Sequence, residues 1–218
     1  MRLVVFDLDG TLIDTAGEIA DAVNLTLSFF GMAQVDEQRV RQWIGHGTGW
    51  LMKQAWQQQR AINSDDEWAE VMQKFVKFYH ETAGRRSAPY PFVIETLHKL
   101  KELGIGCAIL TNKEERFTAR VLDAHGMRDY FDLVISGDSL PTKKPDPSGL
   151  QHCVTELGAS FGSTLFVGDS EIDIATARAA GIVCWAVPYG YNMGRPIADC
   201  QPDRLVEDIR PVTSFFAS

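Results

Sequence analysis

The chain has 218 residues, 45% of them hydrophobic and 23% charged, which is the composition of a soluble globular protein and excludes a disordered or fibrous one. That length admits one α/β domain or two, built around a real apolar core. With 29 acidic residues against 21 basic ones, a net charge of −8 and no basic run, the sequence argues against a nucleic-acid or anionic-membrane partner, so an anionic small substrate needs a local positive site.

The first predicted element is Leu3-Val4-Val5-Phe6, a continuous apolar run of the kind found in a central strand covered on both faces. It reaches Asp7 without an apolar signal core, and no later stretch approaches the ~18 apolar residues of a membrane span. A cytoplasmic protein is the expectation.

Residues 15–85 carry helical patterns and no strand candidate. Ile19, Ala22, Val23, Leu27 and Phe30 fall on one face of a helix, and Val40, Trp43 and Ile44 begin another before the Gly45-His46-Gly47-Thr48-Gly49 turn. Helices follow over Leu51 to Trp56 and Trp68 to Tyr79. Ala88-Pro89-Tyr90-Pro91 marks a return to the core. From there helices alternate with apolar runs: 93–103 before Gly104, Gly106 to Leu110, 117–122 before Gly126, Leu133 to Ile135, Thr164 to Val167 and Val183 to Val187. That alternation predicts an α/β fold with a Rossmann-like, doubly wound, mostly parallel sheet. The predicted division is a core of residues 1–14 and 86–218 with an all-helical insertion at 15–85. Cys107, Cys153, Cys184 and Cys200 form no CxxC pair and read as buried thiols of a reducing compartment.

Four polar segments each follow a strand candidate, and the carboxyl ends of parallel strands are where such sheets gather ligands. Asp7-Leu8-Asp9-Gly10-Thr11 places two carboxylates on one side of a strand end. Asp7, with a reference pKa of ~3.9, is expected to be mostly ionised and to need no partner base to act as a nucleophile. Thr111-Asn112 offers a hydroxyl and an amide for phosphoryl oxygens, and Lys143-Lys144-Pro145-Asp146-Pro147 offers a fixed cation. Gly168-Asp169-Ser170-Glu171-Ile172-Asp173 adds carboxylates, so that Asp7 and Asp169 suit a magnesium ion, which takes oxygen ligands. Singly, each segment has a plainer reading: a hairpin turn at Asp-Gly, a helix N-cap at Thr111 or Asp169, a solvated loop charge at Lys144, a helix-to-helix turn at Gly45-His46-Gly47. No GxxxxGK[ST], GxGxxG or GxSxG competes with them.

Together, Asp7-Leu8-Asp9-Gly10-Thr11, Thr111, Lys144 and Gly168-Asp169-Ser170-Glu171-Ile172-Asp173 resemble the DxDx[TV], Ser/Thr, Lys and GDxxxD motifs of the haloacid dehalogenase superfamily, over essentially the whole chain. The resemblance implies that Asp7 is the nucleophile, that Asp9 is the acid/base, and that Thr111 and Lys144 bind and orient the phosphoryl group. It also implies that Asp7, the backbone carbonyl of Asp9, and Asp169 hold Mg²⁺, with Asp173 supporting. Asp9 speaks for phosphoryl transfer, because an ester oxygen needs a proton on departure and a halide does not. The helical insertion resembles the small caps of this superfamily, which close over the site. Trp43-Ile44-Gly45-His46-Gly47 and Pro188-Tyr189-Gly190-Tyr191-Asn192 are similar to segments of its phosphoglycolate phosphatases, which makes 2-phosphoglycolate the expected substrate and adds Asn112, Gly45 and His46 as binding candidates. A phosphomutase of the β-phosphoglucomutase type, a broad sugar-phosphate phosphatase and a non-catalytic metabolite-binding protein are the alternatives. Oligomeric state is not legible.

Overall fold

In the computed structural model, residues 1–216 are described. Leu3–Phe6 forms β1, with all four side chains buried, as the unbroken apolar run requires. A two-residue strand, β2 (Ile13–Asp14), precedes four helices: α1 (Ala16–Phe29), α2 (Glu37–Arg41), α3 (Thr48–Gln57) and α4 (Asp65–Thr82). The chain returns through β3 (Ala88–Pro89), which pairs antiparallel with β2, so the point where the helices leave and the point where they rejoin are tied together. Then come α5 (Val93–Glu102), β4 (Gly106–Leu110), α6 (Glu115–Ala124), β5 (Leu133–Ile135) and α7 (Ser148–Glu156). The last elements are β6 (Thr164–Gly168), α8 (Glu171–Ala180), β7 (Val183–Ala186) and β8 (Arg204–Leu205).

The main sheet has the order β5-β4-β1-β6-β7-β8, parallel throughout. Phe6 stands in register with both Ile109 and Val167, so the residues that follow these three strands emerge along one edge. Alternate strand residues feed two cores. Val4, Phe6, Ile109, Leu165 and Val167 face one side, and Leu3, Val5, Ala108, Leu110 and Phe166 face the other. The first of these cores runs on without a break into Val23, Leu27, Met52, Trp56 and Phe75 of the helical segment, so these helices are packed against the sheet's own core.

Three details differ from the expected elements. The helix expected through Val40, Trp43 and Ile44 ends at Arg41, because the chain turns toward Gly45, whose φ of +125° a helix does not accommodate. Strands β2, β3 and β8 have only two residues each, too few for a periodic signature. Asp169 does not cap the helix after β6; Ser170 does, its side chain and that of Asp173 forming a reciprocal capping box. Cys107, Cys153 and Cys184 are buried and Cys200 is half-buried, all as free thiols. No helix among the described residues is long and apolar enough to cross a membrane.

Candidate active site

Beyond β1 the chain folds into a tight turn in which the amides of Leu12 and Ile13 donate to Leu8 O and that of Gly10 to Ile13 O. Gly10 has a φ of +87°, and a Cβ there would lie 2.3 Å from Asp169 Oδ2; only glycine lets the turn close against that carboxylate. The turn lays Asp7 at the mouth of the sheet between the ends of β4 and β6. Thr11 Oγ1 donates to Asp169 Oδ1 at 3.0 Å, and the Tyr191 amide donates to Asp169 Oδ2.

Carboxylate oxygens of Asp7, Asp169 and Asp173 lie within 4.8 Å of one another, and all three residues are buried. Lys144 joins them, its Nζ standing 2.7 Å from Asp7 Oδ1 as an ion pair and donating to Asp173 Oδ1 at 2.7 Å. The aspartates are not equivalent. Asp173 is saturated: Oδ2 accepts from the amides of Asp169 and Ser170 and from Ser170 Oγ, while Oδ1 takes Lys144. Asp7 Oδ2 has no hydrogen-bond donor among the described residues, and each oxygen of Asp169 takes a single donor. Asp7 and Asp169 therefore keep lone pairs for a ligand, and Asp173 holds Lys144 and the start of α8 in place.

Burial sets the electrostatics. It pushes the Asp7 carboxyl up to about 7 against the pull of Lys144, with Asp173 and Asp9 adding to the rise. Burial also raises Asp169 well above its usual range, helped by Asp173 and Asp7. The expectation that Asp7 is mostly ionised thus needs correction for the protein without a cation, since desolvation outweighs the lysine. Among the described residues, Asp7, Asp9, Asp169 and Asp173 face only Lys113 and Lys144 as direct ion-pair partners, so full ionisation of the four leaves two negative charges, the charge one divalent cation neutralises. An all-oxygen donor set with open lone pairs on Asp7 and Asp169 fits magnesium.

Asp9 lines the same pocket as Asp7. Its Oδ1 accepts from Thr15 Oγ1 at 2.7 Å and from Lys113 Nζ at 2.8 Å. Thr111 is buried, lines the same pocket as Asp7, and accepts from the Lys113 amide through Oγ1. Asn112 spans the gap between core and helices: its Nδ2 donates to Gly45 O at 2.9 Å and to Lys144 O at 3.0 Å, and its Oδ1 is buried without a partner. Gly45 lines the pocket. His46 does not; it is half-buried and packs its ring against Trp50, with centroids 4.6 Å apart, so the structure separates it from the other candidates.

Lys113, Tyr79 and Tyr191 were missed from the sequence. Lys113 had a signal, standing two positions after Thr111 at the same strand end. Tyr79, on α4, reads as one more apolar helix position. The Tyr191 hydroxyl accepts from the amides of Thr15 and Ala16 and bonds Asp14, tying the Asp169 loop to the start of α1.

The sequence pattern of the haloacid dehalogenase-like hydrolase family matches residues 4–187. The chain belongs to this family. Among haloacid dehalogenase-like hydrolases it is similar to phosphoglycolate phosphatase 1 of Pseudomonas aeruginosa, with 40% identity over 96% of this chain and 77% of the relative. It is 38% identical to the phosphoglycolate phosphatase of Vibrio cholerae, over 96% of this chain and 94% of that one. A crystal structure described as a predicted phosphoglycolate phosphatase from Haemophilus somnus superposes with a TM-score of 0.91 at 33% identity, covering 97% of this chain and 96% of that one. As a family member related to these proteins over nearly its full length, the chain is a phosphoric monoester hydrolase.

Proposed function

We propose that this protein is a magnesium-dependent phosphatase that hydrolyses 2-phosphoglycolate through an aspartyl-phosphate on Asp7. The single observation that carries the mechanism is the convergence of Asp7, Asp169, Asp173 and Lys144 at one buried point, with an open Asp7 Oδ2 facing the pocket. The substrate is taken from the relatives named above, at 40% and 38% identity. When bound by Asp7, Asp169 and the backbone carbonyl of Asp9, the metal supplies charge that offsets repulsion between carboxylate and phosphate.

Asp7 Oδ2 attacks phosphorus and the bond from phosphorus to the bridging oxygen breaks; Asp9 gives its proton to that oxygen, and the alcohol leaves. Water then attacks the acyl phosphate, Asp9 takes its proton, and inorganic phosphate and free Asp7 result. Lys144 and Thr111 hold the phosphoryl oxygens, and Asp173 keeps Lys144 aimed. Residues 15–85 act as a cap that excludes water from the first step, docked through Asn112 to Gly45 O. Free thiols fit a cytoplasmic location.

The test is release of inorganic phosphate from a panel of monoesters with magnesium present, in which 2-phosphoglycolate has the highest kcat/KM. Asp7→Asn lowers turnover on the order of 10³-fold or more with an unchanged circular dichroism spectrum. Wild-type-like turnover in that variant sinks the nucleophile assignment, and phosphate release that requires an added sugar bisphosphate sinks the hydrolytic one.

A further inference from the structure

The two pocket lysines serve different ends of the site. Lys144 stands at the nucleophile, whereas Lys113 donates to Asp9 Oδ1 at 2.8 Å and to the Tyr79 hydroxyl, with its side chain 1% exposed. Asp9 protonates the bridging oxygen, so whatever is attached to that oxygen lies beside Asp9 and therefore beside Lys113. We propose that Lys113, with Tyr79 and the first turn of α3, forms a subsite for a carboxylate on the leaving group. The inference rests on the phosphatase reading above and deepens it by naming the group recognised.

Three observations support the assignment. An ammonium has three N–H donors, and two are taken by Asp9 and Tyr79; no third partner occurs among the described residues. The remaining side chains on the pocket wall toward the helices are those of Ile19, Ile44 and Leu51, beside Gly45, whose carbonyl accepts from Asn112; these side chains offer no hydrogen bonds to the hydroxyls of a sugar but strengthen a charge pair by excluding water. Gly47, the N-cap of α3, has no side chain to accept from the first-turn amides, and Gly47 and Thr48 line the same pocket, so these amides add donors and the positive end of the helix dipole. Glu18 also acts on Lys113 electrostatically, but no hydrogen bond joins the two among the described residues; its Oε2 accepts from the Gly84 amide at 2.6 Å.

A purely structural role for Lys113 in holding Asp9 would affect every substrate alike, whereas a carboxylate subsite discriminates. The experiment measures kcat and KM for 2-phosphoglycolate and for ethyl phosphate, which has the same two carbons and no carboxylate, in wild type, Lys113→Met, Lys113→Arg and Tyr79→Phe. The wild type favours 2-phosphoglycolate. Lys113→Met reduces that preference by at least ~10-fold on top of any loss common to both substrates, Lys113→Arg restores part of it, and Tyr79→Phe reduces it less. An unchanged preference in Lys113→Met overturns the subsite while leaving the phosphatase intact. A wild type that hydrolyses the two equally overturns both the subsite and the proposed substrate, and one that releases phosphate from neither overturns the proposed function itself. Should Lys113→Met not fold, product inhibition of the wild type decides: glycolate inhibits at concentrations at least ~10-fold below ethanol, and equal inhibition overturns the subsite.

Discussion

Glu18 is a buried carboxyl on α1 with one oxygen left without a partner among the described residues. Oε2 accepts from the Gly84 amide, and Oε1 is the unpartnered atom. Burial, opposed chiefly by Lys113, raises its carboxyl above the usual 4.5. Because the folded state holds the proton more tightly than the unfolded one, this group's contribution is fully present below pH ~4.5 and is lost as pH rises through the folded value. Glu18→Gln keeps an oxygen for the Gly84 amide and removes the titration. The melting temperature of Glu18→Gln, relative to wild type, is therefore expected to rise between pH 4 and pH 8; a difference that is flat or falls with pH contradicts the assignment. Nothing in the amphipathic pattern of α1 sets Glu18 apart from a solvated helix position, since its burial comes from the segment around Gly84, more than sixty residues on.

Elements matter here through their ends. The N-terminus of α8 carries Ser170 as N-cap, and the same side chain donates to Asp173 Oδ2, which in turn positions Lys144. Ser170→Ala removes the cap and one of Asp173's donors, and is expected to cost about 1 kcal/mol. For a chain of this size that lowers the melting temperature by roughly 2–4 °C, with a loss of kcat because Lys144 is held less firmly. Unaltered melting and turnover would show that α8 is fixed by its packing alone. Three successive residues between β4 and α6 also bind the helical segment: Asn112 to Gly45 O, Lys113 to the Tyr79 hydroxyl, and Glu114 to the Thr48 hydroxyl. The strand itself was legible as an apolar run, and Thr111 and Asn112 as its polar end. The attachment of that end to α3 and α4 was not, because each partner lies at least 34 residues away and helix periodicity carries no information on what a helix docks against.

At the scale of the molecule, a chain of net charge −8 concentrates four aspartates and two lysines at one sheet edge. Without a cation the cluster keeps protons that the unfolded chain gives up: Asp7 moves from 3.8 to about 7, so stability falls as pH rises through that window. On the proposed ligand set, magnesium would need these carboxylates deprotonated and bind only the folded arrangement, so its stabilising effect is expected to grow with pH. Thermal melts are expected to show the metal-free protein losing stability between pH 5 and pH 7.5, with saturating magnesium raising the melting temperature more at pH 7.5 than at pH 5. A magnesium effect that is absent, or larger at the acid end, refutes the proposed ligand set. The sequence by itself determined the longer strands, the polar groups that follow them and a mostly parallel sheet, because apolar runs of four or five residues and the residues after them are local features. Only the tertiary structure decided which aspartate is saturated and which is open, how far burial raises Asp7 and that Lys113 stands beside Asp9. Each of those depends on what desolvates or donates to a side chain, and in this fold those partners come from distant parts of the chain.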